Sequence, residues 1–532
     1  MRDIFQFSKV VLVYLGPYPS QARELCAREL LPEYVDDNGN EIPTDPSKVA
    51  ERMKDILKEL KDGLELMKNI SEKDISTLQY MKDETKREMA WNRHVDGNGW
   101  LLDWEQRLSL ESVFKDSPIW DRVWIVQELS SRRVLLVGGT STLDWEKVSS
   151  FLGDSHYADA FHGPFGHGSV ATITSRIFSN PTTINHQRGI FRDIGEGYTS
   201  TFFDVLARFR HRKATDPHDQ IYGMLGLVSE NHPIVPDYNK SHQRVFTDLA
   251  IHIMNSTANL DLLCQSPWSD NPNPRPEDLP SWVPDFTYEG HSVRLFAQRS
   301  IFSAGASTCK TPLTVTEDGM LNLRGTTLGR IGPFPEVDDS TNNDSDSSSV
   351  DDESPPRKWM LQYFGTRLLD DSSSTYVTGE PSLQAYWCTL LASCKFQPDD
   401  QSNRTIKRLN KDDILNYGKK FTSLLRGDPD VSLWDQEYRP MAYRMFNHWV
   451  FAMTQDSLYL MVQSHVKGGD LVVILKGAKV PVVLRPIREN ADASDEMKYE
   501  FISTAYVHGF MDGEAARWVE EGKLKEEGFC LV

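Results

Sequence analysis

The chain has 532 residues, too many for a single hydrophobic core, and at about 100–200 residues per domain it should form two to four. Apolar residues make up 39%, with 13 Trp and 24 Phe, which excludes a disordered chain. A net charge of −19 argues against a general nucleic-acid binder, whose footprint would be basic.

Met1–Ser8 reads as the end of a helix, and Lys9–Leu15, rich in Val, as a buried strand. The apolar run Val10–Gly16 is too brief for a signal segment, and Pro17-Tyr18-Pro19 comes directly after it. No window approaches the roughly 18–20 apolar residues of a membrane span. Asp45-Pro46 opens a charged segment reaching about Met89. Within it Val49, Met53, Ile56, Leu60, Leu64 and Met67 recur every three or four residues, the pattern of an amphipathic helix. A second helix is predicted near Trp100–Phe114.

Ser117–Leu129 then reads as one helix, with Ser117 as cap and Pro118 in the first turn, followed by a strand over Val134–Val137 ending at Gly138-Gly139. At 100° per residue, Ile119, Val123 and Val126 share one side, and Ile125 and Leu129 another. Trp120, Asp121, Trp124, Gln127 and Glu128 form a mixed stripe between them. A helix apolar on two sides is buried, so the Gln127-Glu128 pair needs partners. Two readings stand: a polar network that fixes packing, or a functional carboxylate lined by Trp.

Asp144–Val148 starts a further helix. Residues 153–200, rich in Gly, His, Ser and Thr, read as a surface loop; His156, His162 and His167 lack any fixed metal-binding geometry, so no metal is expected. Thr201–Lys213 returns to helix, with Phe202, Val205, Leu206 and Phe209 on one face. Asp216 is expected to cap a helix beginning at Pro217, and Gly223 and Gly226 point to close approach by another segment. A helix near Gln243–Ser256 comes next, then an extended Leu279–Asp285 anchored on Trp282, and a hairpin over 313–325. Residues 336–353 hold eight acidic and no basic side chains, the composition of a flexible linker.

The C-terminal part should start with helices near Leu383–Cys394, Asp412–Leu425 and Glu437–Trp449. Short strands come after them at Trp449–Met453, Leu458–Val462, Leu471–Leu475, Val480–Leu484 and Glu500–Tyr506, a small antiparallel barrel or sandwich. The six cysteines form no C-x-x-C pair, so they are read as reduced, packed thiols of a cytosolic or nuclear protein.

Three blocks together resemble the fungal heterokaryon incompatibility (HET) domain proteins. The first is Arg122-Val123-Trp124-Ile125-Val126-Gln127-Glu128 with Gly138-Gly139 and Trp145. The second is Thr215–Leu227 with Pro236-Asp237-Tyr238 and Pro280–Asp285. The third runs from Gly469-Asp470 through Pro481–Arg485 to Tyr506–Glu514. The aromatic-Ala-Leu-Ser-Tyr-x-Trp-Gly and Asp-x-x-Cys-Ile-x-Gln segments that open the domain in the family are not in this sequence, and Met1–Gly16 matches the family's next stretch after them. The resemblance therefore implies a HET domain without its first part, either a start at an internal Met or a genuine truncation.

It also implies an α+β multidomain chain. An incomplete α/β, TIR-like domain would span 1–150, with a charged helical insert at about 46–89. Beyond it would lie a loop region (151–200), a mainly helical middle ending in a hairpin (201–335), an acidic linker (336–356) and a helical and β-rich C-terminal part (357–532). Trp120, Arg122, Trp124, Gln127, Glu128, Gly138 and Trp145 carry the domain's motif. The implied function is non-self recognition and programmed cell death through a protein partner in the cytoplasm, with no cofactor, nucleic acid or membrane span. Since some TIR domains cleave NAD, the analogy offers NAD hydrolysis with Glu128 as its carboxylate as an alternative, and an inactive remnant as a third reading.

Overall fold

A computed structural model describes residues 10–16, 46–72, 104–130, 133–153, 169–193, 200–210, 212–229, 232–265, 278–287, 301–305, 313–316, 319–333, 365–371, 373–398, 404–426, 445, 449–463, 465–487 and 497–532. The chain is mixed α and β, with several small sheets, and divides into two compact units, Met1–Asn231 and His232–Val532.

In the first unit β1 (Val11–Tyr14) lies on the edge of a three-stranded sheet. The helix α1 (Pro46–Glu72) buries Val49, Ile56, Leu60, Leu64 and Met67, the face its spacing predicts. It packs against α2 (Trp104–Phe114). The motif segment comes next, with α3 (Ile125–Leu129) at its end, and leads into β2 (Val134–Gly138) and β3 (Ser141–Asp144), an antiparallel pair. β1 runs parallel to β2 with Val11 opposite Val134 and Tyr14 opposite Val137, so the two apolar runs read from the sequence share a sheet. α4 (Trp145–Gly153) closes this group, and Asp144 Oδ1 accepts the Glu146 N–H at 3.0 Å at its start.

Two expectations are corrected here. The stretch read as loop contains a long helix, α5 (Ser169–Asp193). Its buried residues Ile177, Phe178, Pro181, Ile184, Gln187 and Arg188 recur at helical spacing, but two are polar and one is Pro, so the apolar signal was thin. His156, His162 and His167 lie outside the described residues. Next, α6 (Phe202–Phe209) starts from a capping box in which Thr201 accepts the Asp204 N–H and Asp204 accepts the Thr201 N–H. The helix expected from Pro217 begins later, as α7 (Asp219–Tyr222), because residues 216–218 form a turn in which Asp216 Oδ1 accepts the His218 N–H at 3.0 Å.

In the second unit α8 (His242–Thr257) starts at Ser241, whose Oγ accepts the Arg244 N–H at 3.3 Å. β4 (Thr314–Val315) and β5 (Leu321–Arg330) form the predicted hairpin. Then come α9 (Gly365–Asp370), α10 (Ser382–Leu390), the hairpin β6 (Cys394–Pro398) and β7 (Arg404–Arg408), and α11 (Lys411–Leu425). The helix expected near Glu437–Trp449 lies almost wholly outside the described residues. Trp387 of α10 stacks on Tyr417 of α11, with ring centroids 5.6 Å apart.

The C-terminal strands are β8 (Val450–Met453), β9 (Tyr459–Val462), β10 (Leu471–Leu475), β11 (Val482–Ile487), β12 (Lys498–Thr504) and β13 (Tyr506–Val507). After α12 (Glu514–Glu520) the last is β14 (Glu526–Leu531). β13, β9 and β8 form one small sheet. The other strands close a ring: β10 pairs with β11, β11 with β12, β12 with β14, β14 with β5, and β5 with β10. Of the two forms expected for these strands, barrel or sandwich, the closed ring is the barrel, but it is not wholly antiparallel, since β12 and β14 run parallel, and the expected strands β8 and β9 lie in the separate small sheet. One member, β5, comes from far upstream, beyond the acidic 336–353 segment. Arg324 on β5 donates to Glu526 on β14 at 3.0 Å, 202 positions later.

Candidate functional site

The motif residues of the first unit do not lie on one helix. Pro118–Asp121 is a 3-10 turn, Arg122 is extended (φ −76°, ψ 135°), and helix resumes only at Ile125. The break has a tertiary cause. Lys213 N–H donates to the Asp121 carbonyl at 2.5 Å, and Val123 N–H donates to the Lys213 carbonyl at 3.0 Å. This bridge from the segment after α6 pulls Arg122 out of helical geometry. The Ser117 hydroxyl does not cap the turn; it donates to the Leu15 carbonyl at 2.5 Å, at the end of β1.

Each motif residue then has a clear place. Trp120 is fully buried, its ring 6.2 Å from that of Trp145, and its Nε1–H donates to the Val113 carbonyl at 2.7 Å. Trp145 is also fully buried. Gly138 ends β2 against Leu60 and Leu64 of α1. Arg122 is exposed and Trp124 half-buried. Arg188 of α5, which the sequence reading passed over, is buried; it donates to the Leu129 carbonyl at the end of α3 and to Glu146 Oε1 at 2.7 Å.

Gln127 is the buried polar group that needed a partner, and it has one. Its Nε2 donates to the Gly223 carbonyl at 2.7 Å. A Cβ on Gly226 would sit 2.6 Å from Gln127 Oε1, so the glycine makes room for the amide. The close approach expected at Gly223 and Gly226 is thus the approach of the motif segment itself, since Val123 lies 3.1 Å from where a Cβ on Gly223 would be. Glu128 is half-buried; burial pushes its carboxyl above the ordinary carboxylate range, and the Arg122 guanidinium draws it part of the way back.

The second unit holds a cleft of about 500 Å³ that the sequence reading did not find. Its wall includes Glu380, Ser393, Arg408, Tyr506, His508 and Asp512. Four of these form a continuous chain: Ser393 Oγ is 2.7 Å from Tyr506 Oη, Tyr506 Oη is 3.1 Å from His508 Nδ1, and His508 Nε2 is 2.7 Å from Glu380 Oε1. Thr378 donates to the other Glu380 oxygen at 2.6 Å, and Arg408 pairs with Asp512 at 2.8 Å. The chain joins three places in the sequence, at 380, 393 and 506–508. The one local signal was the closeness of Tyr506 and His508 in sequence, at the end of β13 and in the turn after it.

Burial alone would raise the Glu380 carboxyl, but the hydrogen bonds from His508 and Thr378 outweigh it and hold it at about 2. An unfolded Glu titrates near about 4.3, so this group contributes up to about 3 kcal/mol, complete above pH ~4.5 and lost as the pH falls towards 2. The Glu380→Gln variant should therefore lose stability at pH 7 and differ little from the parent at pH 2.5. Urea midpoints at the two pH values check this; an equal difference at both would disprove it.

Comparison with known proteins adds one finding. Residues 417–531 match the family model of the Het-6 beta-barrel domain. The match covers about a fifth of the chain and links it to HET-type fungal proteins. No curated protein and no solved structure matches the chain. The matched stretch supplies β10, β11, β12 and β14, together with Tyr506 and His508. The strand that completes the ring, β5, and the cleft residues Glu380, Ser393 and Arg408 lie upstream of it. Among the described residues no helix is long and apolar enough to cross a membrane, and no three His, Cys, Asp or Glu side chains are grouped to hold a metal ion. The four described cysteines are buried thiols.

Proposed function

We propose that the protein is a heterokaryon-incompatibility-type signalling protein, acting in the cytoplasm of a fungus in non-self recognition and in the triggering of programmed cell death. The observation that carries this reading is the Het-6 beta-barrel match at 417–531. The first unit is the HET-like α/β part, in which the motif residues build its packing: Trp120 and Trp145 fill the core, and Gln127 fastens the motif segment to the Asp219–Leu227 region. The second unit, with its barrel, recognises or regulates through a protein partner. In the NAD-cleaving alternative Glu128 would carry charge near the glycosidic bond, and the burial that raises its carboxyl works against that charge.

The test is inducible expression of the chain and of Glu128→Gln in a fungal host, with viable counts and cellular NAD followed together. Loss of viability at constant NAD, equal in both forms, is the expected result. Full viability with the folded protein abundant would sink the cell-death reading. A fall in NAD with the parent and not with the variant would replace it by the NAD-cleaving one.

A further inference from the structure

We propose that Ser393 is an acyl-accepting nucleophile that hydrolyses small polar esters in the cleft of the second unit, with Tyr506, His508 and Glu380 as its proton relay. The proposal stands apart from the incompatibility reading, because it rests on the residues of this cleft and not on the barrel match.

The continuity of the hydrogen-bonded contacts carries the argument. Glu380 is ionised at neutral pH and can only accept, so the ring nitrogen facing it, His508 Nε2, holds the proton. For the ring to serve as a base, Nδ1 must be the acceptor and Tyr506 the donor. The phenol oxygen in turn accepts from the Ser393 hydroxyl. In that arrangement the bonds run from Ser393 towards the carboxylate, which leaves the serine lone pairs for a carbonyl carbon. All three links fall within about 2.6–3.2 Å, the reach expected of a nucleophile, its base and the group that orients the base.

Three further features fit. Ala392 and Ser393 are both non-glycine residues in left-handed geometry (φ 49° and 50°), and they place the serine between α10 and β6. Such conformations are sparsely populated and gather at functional sites. The turn is held by Ser393 N–H donating to the Cys388 carbonyl at 2.7 Å and by Leu409 N–H donating to the Ser393 carbonyl at 2.9 Å. The neighbouring thiols do not compete: burial pushes Cys388 and Cys394 up to about 12, so neither is a thiolate at neutral pH. Burial also raises the Tyr506 phenol, so it passes a proton on and does not ionise by itself. The cleft volume suits a small ligand, and its charged wall, with Arg408 paired to Asp512, suits a polar one.

The step balances. Ser393 Oγ bonds to the ester carbonyl carbon. Its proton moves to the Tyr506 oxygen as the phenol proton moves to His508 Nδ1, giving an imidazolium beside Glu380. The carbon–alkoxy bond breaks, and the alcohol leaves with the proton returned along the same path. Water then attacks the acyl-serine, loses its proton by the same route and releases the acid, so ester and water give acid and alcohol.

The test treats the intact chain with a fluorescent fluorophosphonate and locates the adduct by peptide mass spectrometry. The adduct is expected on Ser393 and absent from Ser393→Ala. Labelling should slow at least tenfold in Tyr506→Phe and in Glu380→Gln, with melting recorded for each. Free imidazole should restore labelling to His508→Ala, which a purely structural role would not allow. No adduct on Ser393 in the folded parent would overturn the proposal. Unchanged rates in folded Tyr506→Phe and Glu380→Gln, or no rescue by imidazole, would overturn the relay.

Discussion

Replacing Trp120 with alanine should destabilise the first unit by about 3–5 kcal/mol, the cost of a large-to-small change at a fully buried aromatic. The ring lies 6.4 Å from that of Phe114 and 6.2 Å from that of Trp145, so its removal leaves a cavity between two aromatics. The Val113 carbonyl would also lose its donor, and an unpaired buried acceptor costs about 1–3 kcal/mol. A domain has about 5–15 kcal/mol in total, so the variant should approach the unfolding threshold. Trp120→Phe refills most of the volume but not the hydrogen bond and should fall between the two. Denaturant unfolding of the three proteins decides it; a loss under about 1 kcal/mol in the alanine variant would show that the site collapses without cost.

The second large effect is expected from removing residues 526–532, which should abolish cooperative folding of the second unit. β14 stands between β5 and β12, and all six of its residues pair with β5. Phe529 and Leu531 are buried, each worth about 1.5–3 kcal/mol. Val532 adds three links: its carbonyl accepts the Ser281 N–H at 2.7 Å and the Ser281 hydroxyl, and its N–H donates to the Tyr499 carbonyl at 3.0 Å. Without the strand the ring opens, and both β5 and β12 present bare edges. Circular dichroism and hydrogen exchange should find β5 amides unprotected in the shortened chain; slow exchange there would disprove the role given to β14.

Much of this architecture was legible because local pattern and tertiary environment agree. The barrel strands Leu471–Leu475 and Val482–Ile487 are apolar runs bounded by turn residues, and the predicted limits differ from the observed ones by two or three residues at most. α1 was legible because five of its six periodic residues are buried. The motif segment was misread because its apolar spacing also fits a helix, while the bridge that breaks it comes from Lys213, some 90 residues on. Gln127 could be flagged as a buried amide, but only folding brings the Gly223 carbonyl to it. The cleft was not legible, since Glu380, Ser393 and the Tyr506/His508 pair are ordinary residues until α10, β6 and β13 bring them together.

The remote origin of β5 also sets a clock on synthesis. Its partners on β14 lie about 200 positions downstream, and at about 5–20 residues per second a ribosome needs roughly 10–40 s to reach them. For the first part of that wait β5 has only the two-residue β4 beside it, and β10 is made before β14 completes its pairing. Its sequence suits the delay: Leu321–Arg330 carries Asn322, Arg324, two threonines, two glycines and a closing Arg330. The strongly apolar Leu471–Leu475 is made later, when the strand it pairs with has already left the ribosome. The order of strands along the gene thus places the more soluble partner first and the stickier one second, which shortens the time any aggregation-prone edge is left alone in the cell.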